Sequence, residues 1–228
     1  MASPHKRPEI IALAQDLNGI PLCEQYEAMI SGILYNPNTS KLFEVRHHCR
    51  SVTAEYNAFD TKAVSYDQIF AKRLEMLRRV VGKVGDGTFV EPPFLPDYGC
   101  NCTAGKNSLT ILDTSLVIIG DRVQIGTNLG IFSAGHDTSV LSRQKFVEFG
   151  HPVFIEDDCW IGGNVVILPD VRVGRGSTIG AWSIVTRDVP AFSVAVESPC
   201  RAKKTIPSPE DADAENPYRN LVREDREV

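Results

Sequence analysis

The sequence predicts a mainly β fold, a parallel β-helix of hexapeptide repeats with a helical N-terminal cap. Two observations carry this reading. An aliphatic residue recurs every six positions at Ile119, Ile125 and Ile131, then at Ile155, Ile161, Ile167, Val173, Ile179 and Val185. The stretch from Ile131 to Ile155 is itself four sixes long, so the phase survives an interruption. A helix repeats near 3.6 residues and an ordinary strand at 2, so neither produces this beat. Six residues instead make one flat side of a triangular coil, and three sixes close it. The aliphatic side chains point into the prism and stack at a strand separation of about 4.8 Å. Small or polar residues mark the corners, as in Gly120-Asp121, Gly126-Thr127-Asn128, Gly162-Gly163-Asn164 and Gly174-Arg175-Gly176, where positive φ must be tolerated.

The remaining elements follow in order. Residues 1–23 form a polar, proline-containing extension with a short helix around Ile10–Leu17. Residues 24–82 form a helical cap: Glu24–Ser31, a turn at Asn36-Pro37-Asn38, then Ser40–Tyr56 with Leu42, Val45, Cys49 and Val52 on one face. A further helix, Tyr66–Val81, buries a stripe of Ile69, Leu74, Leu77 and Val81 and turns Lys72, Arg73, Arg78 and Arg79 to solvent. Residues 83–206 form the coil domain. Its first, weaker turns start at Phe89–Glu91 and near Tyr98–Gly105, and a loop over 133–152 protrudes from it. The beat stops after Pro190, where Phe192–Ala195 and Pro199–Ile206 supply a closing strand and strap. Residues 207–228 form an acidic, flexible tail.

Composition narrows the function. The net charge of −5 and pI near 5.6 argue against nucleic-acid binding, which calls for a basic face. No apolar run approaches a membrane span, and the N-terminal segment lacks a signal-peptide core. The six cysteines, Cys23, Cys49, Cys100, Cys102, Cys159 and Cys200, lack metal-ligand spacing and read as reduced thiols in a cytoplasmic protein. A solenoid needs its ends covered, and three flat outer faces suit packing about a threefold axis, so a homotrimer is expected.

His136, five residues past Ile131 on the interrupting loop, is free of the solenoid core. Histidine is the side chain whose free imidazole changes charge near neutrality, so His136 is the candidate general base. His151 reads as a surface residue, and His5, His47 and His48 receive no role.

Several motifs together resemble one family. They are Ile30-Ser31-Gly32-Ile33-Leu34-Tyr35, Glu55-Tyr56-Asn57, Val90-Glu91-Pro92-Pro93, Asp97-Tyr98-Gly99, Ile119-Gly120-Asp121 and Ala134-Gly135-His136. Asp158-Cys159-Trp160-Ile161-Gly162-Gly163 and Ile184-Val185-Thr186-Arg187-Asp188-Val189-Pro190 complete the set. The chain resembles the hexapeptide-repeat O-acetyltransferases, in the maltose, galactoside and nodulation-factor branch, over about residues 25–206. The resemblance implies a left-handed coil and transfer of acetyl from acetyl-CoA to a hydroxyl of a sugar or similar small alcohol. No metal is implied, and the active sites lie between subunits of a homotrimer. It implies His136 as base and the Gly163 amide as oxyanion donor, with Trp160 walling the pantetheine arm. Coenzyme A contacts fall at Gly163, Ala181, Thr186, Arg187, Arg201 and Lys204, with Lys203 in reserve. Acceptor contacts fall at Asn36, Asp97 and Asp113, although Asn36-Pro37-Asn38 lacks the family's carboxylate. After Gly105-Lys106-Asn107 the chain omits about five residues, including an asparagine that positions acceptor and base; Asn107 or Asn128 are partial substitutes. Two alternatives stay open. One is an impaired trimeric scaffold, or an acetyltransferase of secondary metabolism. The other is a γ-type carbonic anhydrase, for which only His136 and His151 lie in the right half of the chain.

Overall fold

The computed structural model describes residues 2–104, 109–209 and 211. The readings placed on Gly105-Lys106-Asn107 and on most of the tail lie outside the described residues. Four helices precede the coils: α1 (Pro8–Gln15), α2 (Glu24–Ile30), α3 (Ser40–Asn57) and α4 (Tyr66–Arg78). Helix α1 begins with Pro8 at its first turn, where the missing N–H costs nothing. It buries Ile10 and Ala14, and Leu17 follows, so the extension is packed into the cap. These residues join Met29, Ile30, Tyr35, Leu42, Tyr98 and Leu116 in one apolar cluster.

The coils then stack. Coil one contributes β1 (Lys83–Val84) and β2 (Leu95–Pro96), and coil two β3 (Cys102–Ala104) and β4 (Leu109–Leu112). Coil three holds β5 (Val117–Ile119), β6 (Gln124–Ile125) and β7 (Leu129–Phe132). A loop follows, with β8 (Ala134–Gly135), α5 (Val140–Gln144) and β9 (Phe149–Gly150). Coil four holds β10 (Val153–Ile155), β11 (Trp160–Ile161) and β12 (Val166–Ile167). Coil five holds β13 (Arg172–Val173), β14 (Thr178–Ile179) and β15 (Ile184–Val185). An antiparallel pair, β16 (Ser193–Val196) and β17 (Arg201–Thr205), closes the stack.

Three sheets result. Face one runs β1-β3-β5-β10-β13, face two β17-β16-β14-β11-β6, and face three β15-β12-β7-β4-β2. Their register aligns the six-residue beat inside the prism: Ile119, Ile155 and Val173 on face one, Ile125, Ile161, Ile179 and Ala195 on face two, Ile131, Ile167 and Val185 on face three. All are buried except Ile125, which is half-buried. Each such side chain contributes roughly 1.5–3 kcal/mol through burial.

Coil two is shorter than the others. Only four residues separate β3 on face one from β4 on face three. Nine residues separate β5 from β7, and ten separate β10 from β12 and β13 from β15. Among the described residues, the first strand of face two is β6, which carries Ile125.

Two expectations are corrected. Arg73 does not face solvent; it is 5% exposed, donates to the Tyr56 carbonyl at 3.3 Å and lies over the rings of Tyr56 and Phe59. Its guanidinium satisfies itself on a carbonyl and two π faces, so the helix can bury it. The first coil also starts earlier than Phe89–Glu91. Its strands are Lys83–Val84 and Leu95–Pro96, and helix α4 ends at Arg78 to make room. No helix among the described residues is long and apolar enough to cross a membrane. All six cysteines are free, and burial pushes the thiols of Cys49, Cys100 and Cys102 upward.

Candidate active site

The loop carrying His136 leaves face three after β7 and returns into face one at β10, so it springs from the corner between those faces. Ser133 anchors its base. The buried Ser133 hydroxyl donates to the Leu112 carbonyl at 2.9 Å and accepts the Ser115 N–H at 2.8 Å. Strands β8 and β9 then pair antiparallel, Ala134 with Gly150 and Gly135 with Phe149. Gly135 is required here, because a Cβ would stand 2.5 Å from the Phe149 ring. His136 follows directly and is exposed. Beyond it, the Asp137 carboxylate accepts the Ser139 N–H at 3.0 Å, and the Ser139 hydroxyl caps α5.

The cap holds the returning arm. Tyr35 forms a two-way antiparallel bridge with Glu148, N to O at 2.9 and 3.3 Å. The Tyr35 hydroxyl also donates to the Glu148 carboxylate at 3.1 Å. Tyr35 is buried against Tyr98, and burial raises both hydroxyls, Tyr98 to about 12. Asn36, next in the chain, is exposed; its N–H donates to Gln25 Oε1 at 2.7 Å. Asp97 is half-buried and paired with Arg50 at 3.1 Å. Asp113 is fully buried, and its Oδ1 accepts the N–H groups of Asp97 and Tyr98 at 2.8 and 2.9 Å. Its Oδ2 is buried without a hydrogen bond. Burial dominates these two bonds and lifts its carboxyl to about 6. Glu148, Tyr35, Tyr98, Asp97 and Asp113 thus belong to one connected set, with Asp113 fixing the Asp97–Tyr98 turn from beneath; Asn36 follows Tyr35 in the chain, and His136 stands on the outgoing arm of the loop whose returning arm carries Glu148.

The cofactor candidates stand elsewhere. Gly163 lies in the turn from β11 to β12, on the corner between faces two and three. Its carbonyl accepts the Trp182 N–H at 3.0 Å, and among the described residues no hydrogen bond uses its own N–H. Neighbouring Gly162 is forced by the stacking of turns, since a Cβ there would lie 2.6 Å from the Ala181 nitrogen. Asn128, Asn164 and Trp182 follow one another up this corner in the left-handed region, at φ 59°, 57° and 62°. Asparagine tolerates that conformation; a bulky tryptophan is strained there. Ala181, Thr186, Arg187 and Lys204 are exposed on coil five and the closing pair, and Arg201 is half-buried against the Cys200 carbonyl. Trp160 is exposed on the outer side of face two, in register with Gln124.

Comparisons with known proteins place the fold in a family. The maltose acetyltransferase hexapeptide capping motif matches residues 28–85, and the bacterial transferase hexapeptide of six repeats matches residues 152–187. The galactoside O-acetyltransferase of Escherichia coli is 34% identical over 192 residues, covering 82% of this chain and 90% of that protein. The chain belongs to the hexapeptide-repeat acetyltransferases of the maltose and galactoside branch. The acetyltransferase is also similar to the crystal structure of a maltose O-acetyltransferase from Clostridium difficile, with TM-score 0.72 and 34% identity over 82% of this chain and 99% of that one. A hexapeptide-repeat acetyltransferase from Vibrio cholerae, complexed with acetyl coenzyme A, superposes with TM-score 0.71 at 28% identity, covering 82% of this chain and 100% of that one.

Three residues around the candidate site are not legible as such in the sequence. Tyr35 falls in a motif without a task of its own, and Glu148 falls in none; their pairing spans 113 positions and leaves no local pattern. Trp182 has a signal that could find it, since it stands eighteen residues after Asn164, one full coil, and so shares its corner.

Proposed function

We propose that this acetyltransferase carries acetyl from acetyl-CoA to a hydroxyl of a sugar or similar small alcohol, at sites shared between neighbouring copies of a left-handed, cytoplasmic homotrimer. The observation that supports this most is topological. His136 projects from the corner between faces three and one, whereas Gly163 sits on the corner between faces two and three. A base and an oxyanion donor on different corners of one prism serve a single reaction when a second prism brings them face to face.

The residues fit the chemistry. Neutral His136 accepts the proton of the acceptor hydroxyl as its oxygen bonds to the thioester carbonyl carbon. The Gly163 N–H, unengaged within the chain, donates to the oxyanion that forms. When the carbon–sulfur bond breaks, His136 returns the proton to the departing thiolate. Arg187, exposed on coil five and outside the ion pairs of the described residues, faces solvent with Thr186 and Lys204 and can meet nucleotide phosphates. Asn36, which follows the Tyr35 that braces the His136 loop, and half-buried Asp97 are the polar contacts assigned to the acceptor.

The test uses two inactive parents, His136→Ala and Arg187→Glu, assayed alone and after being refolded together. Products from acetyl-CoA and a panel of maltose, galactosides and other alcohols are read by mass spectrometry. Acetylated sugar should reappear only in the mixture. A mixture as inactive as its parents would refute the shared site, and a wild-type protein that acetylates no alcohol would refute the transfer itself.

A further inference from the structure

We propose that Trp182 holds the pantetheine arm of the acetyl donor where the arm crosses from coil four to coil five. This inference rests on the reading of acetyl-CoA as donor with its thioester at Gly163, and deepens it by giving the next stretch of the donor a contact in this chain. The backbone supplies the first observation. Asn128, Asn164 and Trp182 stack at one corner in the left-handed region, at φ 59°, 57° and 62°. Asparagine adopts that conformation readily, whereas a bulky side chain there is a costly outlier. The Trp182 N–H donates to the Gly163 carbonyl at 3.0 Å, as the Asn164 N–H donates to the Thr127 carbonyl at 2.9 Å. The turn thus calls for an N–H on a left-handed backbone, which asparagine provides. It does not call for an indole.

Exposure is the second observation. Trp182 is 75% exposed, and among the described residues neither an aromatic ring nor a cation stacks on it. Two phenylalanines share its conformation. Phe192 is half-buried under Arg175, and Phe146 stands on the loop that carries His136. A large apolar ring left in water on a strained backbone stabilises nothing within its own chain, and such strain persists where a ligand uses it. The chain has two tryptophans, and the other, Trp160, is also exposed, in the strand that leads into the Gly163 turn. Both stand uncovered within one coil of the Gly163 amide.

Position selects the arm over the nucleotide. Trp182 follows Gly163 one strand spacing along the column, about 4.8 Å. Thr186, Arg187 and Lys204, the exposed residues suited to phosphates, lie beyond it, after β15 and on β17. A donor with its thioester at Gly163 and its phosphates at those residues passes Trp182 with the segment between them. That segment is uncharged, made of amide planes and aliphatic carbon, and an indole face gives it dispersion contact.

The experiment is fluorine NMR on the full-length protein grown with fluorotryptophan. The Trp182 resonance is assigned by its loss in Trp182→Asn. Coenzyme A should shift it, whereas adenosine bisphosphate, which carries the nucleotide without the arm, should leave it in place. In calorimetry, Trp182→Asn should weaken coenzyme A binding roughly three- to tenfold, with Trp182→Phe in between. The unfolding midpoint of Trp182→Asn should rise by roughly 2–4 °C as the strain is relieved, with its sedimentation unchanged. A Trp182 resonance that coenzyme A does not move, or that the bisphosphate moves equally, would overturn the proposal. So would a Trp182→Asn protein that loses stability or assembly while binding coenzyme A normally, which would assign the ring to packing. A wild-type protein that binds no coenzyme A would instead overturn the donor reading itself, so the two failures are told apart.

Discussion

In the column, each inward side chain is fixed by neighbours one coil away, and the same six-residue rule serves every coil. In the 133–152 loop, position depends on a contact between Tyr35 and Glu148, residues 113 apart in sequence. The column's side chains exist to be enclosed: Ile161, Ile167 and Val185 are fully buried. The loop's key side chain exists to be reached: His136 is exposed. Stability and the proposed chemistry thereby fall to different residues. A substitution in one region should leave the other region's readout nearly untouched.

The sharpest way to break this division is His136→Ala. Turnover should fall by about 10²–10⁴, equivalent to roughly 3–5 kcal/mol of barrier, with the unfolding midpoint and acetyl-CoA binding retained. Equal turnover, or a large loss of stability, would erase the contrast.

The reverse experiment is Ile161→Ala, expected to cost about 2–5 kcal/mol in denaturant unfolding. Ile125→Ala on the same face should cost clearly less, because Ile125 is half-buried where face two begins. Equal costs would mean that Ile125 is as enclosed as its neighbours below.

The smallest effect concerns pH. Asp113 titrates near 6 in the folded chain, above its ordinary value of 3.8. The folded state therefore binds this proton more tightly than the unfolded state. Its contribution to stability is fully present below about pH 4 and is lost as pH rises through about 6, on the order of 2–3 kcal/mol in all. Asp113→Asn should remove that segment of the stability curve, measured as thermal midpoints between pH 4 and 7. A persisting slope would assign it to another group.

The column was legible because prism geometry dictates its side chains: an inward position every six residues tolerates little besides an aliphatic group. The earliest coil obeys the same rule at Val84, Val90 and Pro96. It is masked in the sequence because a proline does not read as a strand centre and because the preceding helical pattern runs on to Val81. Arg73 is masked for a related reason, since a charge on an amphipathic helix is usually solvated and nothing local announces a carbonyl and two rings waiting for it. Within the candidate site, His136 is legible as part of the interruption of the beat, whereas Gly163 stands in a regular turn and is singled out only by the resemblance to the family. The bracing of the loop by Tyr35 and Glu148 is not legible, because it joins residues 113 positions apart and arises only when the loop returns against the cap.

Helix α1 has an effect beyond its own packing. The cluster it joins leans on Ile118 and Phe154, outward residues of face one, and Arg7 reaches Asp170 at 3.5 Å at the column's edge. A three-walled pillar with every wall adhesive can tile outward without limit. Sealing one wall from within the same chain leaves two, which is the valence each member of a closed ring offers its companions. If copies of the chain assemble through the bare walls, the leading helix is a stopper on growth that favours a finite ring over an open lattice.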